Sequence, residues 1–471
     1  VLIISHDLVG ERMAGPGIRY FHLARVLAQH LPTALAVPDG STLGDHQPFQ
    51  VVHYLSHDWS TLAPHVAAAE SCLIPIAVAS QLAQLGVPLP CVIIDGYNPL
   101  LPEWLALTQH IELASLQHQW QAGRQAATLP YTLGDFFICA SERQRDWWLG
   151  ILEASGRINP ATFRADFSLR RLVDVVPFGL PATPLTPTRQ VLKDIWPGIE
   201  PADKLLLWGG GLWSWLDPLT AIRALAIVWT TRQDVKLLFP GTKHPNPVVS
   251  DMSSVTQYAR QLADELGLLN RAVFFGDWVP YADWPNVLAE CTFALSLHFN
   301  TLETRLAFRT RIIDYIWAGL PIIATQGDAT SELIADHGLG VVVAEQDIAG
   351  VAAAILQLAA EPPHSRDLAF AQARQLLTWE RAAQPLIDFC RQPRRAADSH
   401  FPFPLPEPAA PPPPVIGKED GVHVAEAEAL QLRQEVTRLQ ELVQGYERGR
   451  MMRLLKRFER IINYLLRICY R

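Results

Sequence analysis

Short apolar runs alternate with longer helical patterns along most of this chain, and the alternation starts afresh near its middle. Residues 1–5, 51–55, 73–78, 92–95 and 136–139 read as buried strands. Between them, the spacing of Phe21, Leu23, Ala24, Val26 and Leu27 predicts a helix over 19–30. Strands separated by helices need crossover connections, and so pair in parallel. The run VDVVPF at 173–178 closes one such unit before Gly179 and Pro181 interrupt it. A second series opens at 205–208 and continues at 236–239, 272–275, 292–297, 321–325 and 340–343. A closing helix over 376–389 carries Trp379 and Glu380. The expected fold class is α/β, with two doubly wound domains, 1–180 and 181–392, facing across a cleft.

The chain has 471 residues, too many for one core. Its formal charge of −8 gives no reason to expect nucleic acid as a partner. From Arg448 onward, eight Lys/Arg stand against one Glu, which is +7, so residues 1–447 carry −15. The cysteines at 72, 91, 139, 291, 390 and 469 are scattered, with no C-x-x-C pair. This predicts reduced thiols in a cytoplasmic protein without disulfides or structural zinc. No apolar run reaches the ~18–20 residues of a spanning helix. The opening VLIISHD is too short for a signal peptide and lacks a basic lead, and a start at Val suggests a trimmed N-terminus.

Residues 393–421 are expected to form a proline-rich linker, extended and unable to pack a core. Residues 422–471 read as a helical tail. Leu432, Val436, Leu439, Val443 and Tyr446 follow coiled-coil spacing, and residues 450–468 form a basic amphipathic helix. The tail fits either peripheral contact with an anionic membrane or homodimer pairing.

Candidate chemistry concentrates in residues 303–328, ETRLAFRTRIIDYIWAGLPIIATQGD. Glu303 suits sugar or ribose hydroxyls, and Arg309 and Arg311 suit a diphosphate. Two apart on one helix, the arginines would face opposite ways unless the helix begins between them, and Arg311 has Asp314 as an i, i+3 partner. This favours Arg309 for the ligand. Thr325 and Asp328 close the segment at a strand end. Gly15 and Gly17, in the loop after the first strand, and Gly209, Gly210 and Gly211, after the first strand of the second series, admit a phosphate close to the backbone. Lys243, beside His244, offers a cation at another strand end. Asp95 ends a strand and suits either an acceptor hydroxyl or a turn cap. His298 is as suited to packing as to chemistry. No Asp-x-Asp occurs, so no metal site is expected, and charge neutralisation falls to Arg, Lys and helix ends.

These features together resemble glycosyltransferase family 4 of the GT-B fold: the Gly-Pro-Gly turn, the VDVVPFG link, the segment from Glu303 through AGLPIIAT, and LTWERAAQPLIDF. The resemblance covers about residues 1–392. It implies two Rossmann-like domains, the first for the acceptor and the second for a nucleotide-diphosphate sugar donor. It further implies metal-independent transfer with retention to a polysaccharide or lipid-linked acceptor, and no other cofactor. The sequence departs from the family in three places. Ten residues separate Glu303 from Asp314, a longer gap than usual; GGGLWSWLDP replaces the usual Arg and Lys; and Asp95 stands where a His is common. A divergent branch is therefore expected, cytoplasmic or peripheral at the inner face of the membrane. The rival readings are a GT-B epimerase or phosphorylase, and a degenerate scaffold.

Overall fold

The computed structural model describes residues 1–109, 111–246 and 253–400. The tail and all but the first residues of the proline-rich linker lie outside the described residues. Seven strands form the first sheet: β1 (Leu2–Ile4), β2 (Ala34–Pro38), β3 (Gln50–Tyr54), β4 (Ser71–Pro75), β5 (Cys91–Asp95), β6 (Phe136–Cys139) and β7 (Val173–Val175). Six form the second: β8 (Lys204–Leu207), β9 (Val235–Phe239), β10 (Val273–Phe275), β11 (Phe293–Ser296), β12 (Ile322–Thr325) and β13 (Gly340–Val343). Every pairing is parallel. The orders are β3-β2-β1-β4-β5-β6-β7 and β10-β9-β8-β11-β12-β13. Helices cover both faces of each sheet, so strands such as FFIC and IIAT are buried along their whole length.

Both sheets reverse their winding once, between β1 and β4 and between β8 and β11. A ligand crevice opens beyond the carboxyl ends of strands at such a switch point. The connections leaving β1 and β8 carry the two glycine groups, so topology brings both to one crevice.

β2 is the strand that hydrophobic patterning missed. Its sequence ALAVP is alanine-rich and ends in proline, which reads as a connection; pairing with β1 and β3 on its two sides makes it a strand. The single closing helix expected over 376–389 is two, Trp379–Ala382 and Gln384–Arg391. Pro385, which has no N–H to continue the first, opens the second. This segment returns to the first sheet. The Phe389 ring stacks on Phe136 at 4.7 Å, Trp379 stacks on His22 at 5.1 Å, and Arg395 and Asp398 pair with Asp135 and Arg157. One apolar cluster therefore runs from Ile3 and Leu73 through Trp379 and Leu386 to Leu205 and Ile322. Among the described residues, no helix is long and apolar enough to cross a membrane.

Candidate active site

A cavity of about 410 Å³ lies between the two sheets at their carboxyl edges. Two helix N-termini converge on it. The Gly15–Leu27 helix follows β1, and the Thr310–Ala318 helix follows β11 and a short Leu302–Leu306 turn of helix. Gly15, Pro16, Thr310 and Arg311 all line the space. The approach is close: a Cβ built on Gly15 would lie 3.8 Å from Thr310 Oγ1. Each terminus presents unpaired N–H groups and about half a positive charge. Two together make the cavity floor a site for an anion.

The glycines divide by role. Gly15–Gly17 form the first turn of the helix, where sequence placed them in the preceding loop. Gly15 faces the cavity. Gly17 does not line it; a Cβ there would sit 2.2 Å from the Leu8 carbonyl oxygen, so packing requires glycine. Gly209, Gly210 and Gly211 all line the cavity. The Gly209 N–H donates to Tyr315 Oη at 2.6 Å, and Gly210 has φ +87°, which only glycine adopts readily.

Arg309 and Arg311 differ sharply. The helix begins between them, with Arg309 as its N-cap residue, so both reach the cavity wall. Arg309 grips Glu303 in a two-pronged pair at 2.8 and 2.7 Å, both groups buried, and its Nε lies 3.6 Å from Asp328. Burial alone would lower the Arg309 pKa, but Glu303, Asp328 and Glu103 raise it overall, so it stays charged. Among the described residues Arg311 has no carboxylate partner. One nitrogen donates to the Gly211 carbonyl at 3.3 Å, the guanidinium lies 5.4 Å from the Trp208 ring centroid, and Nη1 is buried without a partner. Burial pulls its pKa down to about 10. The Asp314 partner that the i, i+3 spacing suggested is engaged elsewhere, accepting from Trp284 Nε1 at 2.9 Å. Burial pushes the Asp314 carboxyl up to about 7, against that hydrogen bond. The premise that favoured Arg309 over Arg311 is thus reversed.

Three expected contributors lie beneath the lining. Asp95 is buried, its oxygens 2.6 and 3.1 Å from Arg19 nitrogens; the desolvated guanidinium takes both, which turns the carboxylate away from the cavity. Thr325 is buried and accepts from the His298 N–H at 3.2 Å. Asp328 caps the Ala329–His337 helix through Ser331 and lies 3.4 Å from His298 Nε2. His298 and Arg309 hold the Asp328 carboxyl below its ordinary range despite burial. Lys243 is exposed, and its neighbour His244 lines the cavity in its place.

The first domain contributes groups that sequence reading missed. His6 and Asp7 follow β1, Tyr97 and Asn98 follow β5, and Glu103 stands on the Leu100–Leu107 helix. Each lies at or shortly after a strand's carboxyl end, which was the available signal. Burial lowers the His6 pKa against the opposing pull of Asp7 and Asp95. Glu103 is half-buried. Burial and the facing Glu303 raise its pKa to about 8, with Arg309 opposing. Trp213, Trp215, Trp278 and Trp284 complete an aromatic side, with Trp213 stacked on Trp215 at 5.3 Å. Flat sugar faces and bases both stack on such rings.

The domains meet around this cavity. Gln144, buried on the first domain's Glu142–Ala154 helix, donates at 2.7 Å to both the Tyr97 and Leu306 carbonyls. Arg143 donates to the Gly327 carbonyl at 2.6 Å and pairs with Glu332. His22 Nε2 and Tyr281 Oη are hydrogen-bonded at 2.6 Å. No group of three or more metal-ligating side chains occurs among the described residues.

No curated protein sequence matches the chain. Residues 203–361, from just before β8 to beyond β13, match the family model described as Glycosyl transferases group 1. Among solved structures, Anabaena HepE in complex with UDP-glucose aligns with a TM-score of 0.60 at 15% identity, covering 83% of this chain and 98% of HepE. WaaG, a glycosyltransferase involved in lipopolysaccharide biosynthesis, aligns at 0.55 and 16% identity, covering 83% and 100%. Sucrose-phosphate synthase from Thermosynechococcus elongatus gives 0.56 at 17% identity, covering 83% and 98%. The architecture is the two-domain GT-B fold, and residues 203–361 are similar in sequence to group 1 glycosyl transferases.

Proposed function

We propose that this chain is a glycosyltransferase that moves a sugar from a nucleotide-diphosphate donor to a glycan or lipid-linked acceptor. The observation that carries the reading is the meeting of two helix N-termini with the carboxylate-free Arg311 in one cavity. That arrangement supplies oriented positive charge where a leaving diphosphate would gain negative charge, commonly the largest catalytic term in such a site. HepE, of the same fold, has crystal structures in complex with UDP and with UDP-glucose, which makes UDP the first donor nucleotide to try.

In this reading the second domain, residues 181–392, holds the donor. Arg311 and the backbone of Gly15, Gly210 and Gly211 take the diphosphate, while the Gly209 N–H stays on Tyr315, and Glu303, fixed by Arg309, meets sugar hydroxyls. Asp328, His298 and Thr325 brace that pair from below. The first domain, residues 1–180, takes the acceptor against Tyr97, Asn98 and Glu103. Neutralisation by arginine and helix ends leaves no step that needs a metal. Retention of anomeric configuration and membership of a divergent branch of family 4 belong to the same proposal, supported by the motif resemblance and the matched family model.

Calorimetric titration of the full chain with UDP, GDP, ADP and TDP tests the donor assignment. Binding of at least one is expected, without added divalent cation and unaffected by a chelator. Failure of all four would sink it.

A further inference from the structure

Glu103 is the cavity carboxyl that no protein group holds among the described residues. The other carboxyls in the lining are committed. Glu303 is held by Arg309, Asp314 by Trp284, and Asp7 accepts from the Leu8 N–H and from Asn246 Nδ2. The Glu103 carboxyl makes no hydrogen bond and no ion pair among the described residues, although the residue is half-buried.

Its placement is specific. The Leu100–Leu107 helix belongs to the first domain by sequence but rests against the second. It packs on the Leu302–Leu306 turn, Ala106 accepts from Ser214 Oγ at 3.2 Å, and Ala106 and Leu107 join the second domain's apolar cluster. Residues 99, 103 and 107, at i, i+4 and i+8, put one helical face on the cavity. Glu103 therefore stands on the acceptor side, across from Glu303 and Arg309. A position in the first turn of a helix accounts for a surface Glu, but not for one turned into a shared cavity.

Resting on the glycosyltransferase reading, we infer that Glu103 is the proton acceptor for the incoming hydroxyl. As the acceptor oxygen bonds to the anomeric carbon on the face that the diphosphate departs from, which keeps the configuration, the bond from that carbon to the diphosphate oxygen breaks and the diphosphate leaves with the electron pair. The hydroxyl proton passes to the Glu103 carboxylate, and the carboxylic acid so formed returns it to solvent after product release. Water can replace the acceptor in the same scheme, giving slow donor hydrolysis.

The charged and titratable groups facing Glu103 are Glu303 and Arg309 from the second domain and Tyr97 from the loop after β5. Glu303 and burial keep its carboxyl protonated at neutral pH, and it ionises as pH rises through about 8. A proton acceptor must be ionised, so turnover rises with pH and levels off above that value. A bound diphosphate adds negative charge, so it binds more tightly to the protonated form and draws in a proton.

The test uses full-length wild type, Glu103→Gln and Glu103→Asp, with whichever of UDP, GDP, ADP and TDP binds most tightly and its sugar donor. Calorimetry near pH 8 in buffers of different ionisation heat reads proton uptake; kcat for donor hydrolysis is followed across pH. Wild type takes up protons on binding and shows a rising limb. Glu103→Gln keeps nucleotide affinity at pH 7 within about threefold, takes up no proton at pH 8, and loses about 10²–10⁴-fold in turnover with no limb. Glu103→Asp keeps the limb at reduced rate. A limb and proton uptake unchanged in Glu103→Gln overturn the assignment while leaving the donor reading intact. No nucleotide binding by wild type overturns both.

Discussion

The two walls of the cavity handle charge in opposite ways. On the second-domain wall, Glu303 and Arg309 neutralise each other in a buried pair that Asp328 and His298 brace from beneath. Such a pair costs desolvation in water-free surroundings and yields rigidity more than net stability. On the first-domain wall, His6 and Glu103 carry no such partners among the described residues. Arg311 shares the second wall but follows the first wall's pattern, its charge left uncompensated. The difference separates groups built to stay put from groups placed to respond to a ligand.

Breaking the paired wall has the largest expected effect. Arg309→Ala leaves Glu303 buried and alone, which should cost about 3–5 kcal/mol of folding stability. Denaturant unfolding reads this loss, and the double variant Arg309→Met with Glu303→Leu should recover much of it. Equal stability of Arg309→Ala and wild type would erase the distinction between the walls. Next comes the glycine pair. Gly17→Ala drives a Cβ against the Leu8 carbonyl and should cost about 1–3 kcal/mol, whereas Gly15→Ala has room and should leave unfolding unchanged. If Gly15→Ala also leaves nucleotide affinity unchanged, the first helix terminus is not in contact with the ligand. The smallest effect belongs to Lys243→Ala. The side chain is exposed and outside the lining, so stability and nucleotide affinity should both stay within about 0.5 kcal/mol.

The sheets were largely legible because parallel strands are buried on both faces. Unbroken apolar runs such as FFIC and IIAT announce themselves; ALAVP does not, and it becomes a strand only through its neighbours. The glycine groups and residues 303–311 were legible for a related reason, since strand ends at a switch point must lie together. Which arginine is unpaired was not legible. That depends on where the helix starts and on Trp284, which sequence places far from Asp314. Glu103 was equally hidden, because its neighbours Glu303 and Arg309 come from the other domain. Of the two roles open to Asp95, the structure shows the turn cap, with the Tyr97 N–H donating to Oδ1 at 3.3 Å, while Arg19 beneath it takes the carboxylate away from the cavity.

The central claim is that the carboxylate-free arginine at the meeting of two helix ends holds a diphosphate. Comparing nucleoside diphosphate binding to wild type and Arg311→Leu by calorimetry tests it most directly. The expected result is affinity weakened about 10–150-fold, the size of a lost charged hydrogen bond, with the unfolding midpoint unchanged or raised because a half-buried cation without a carboxylate has gone. Equal affinity in the two proteins would contradict it.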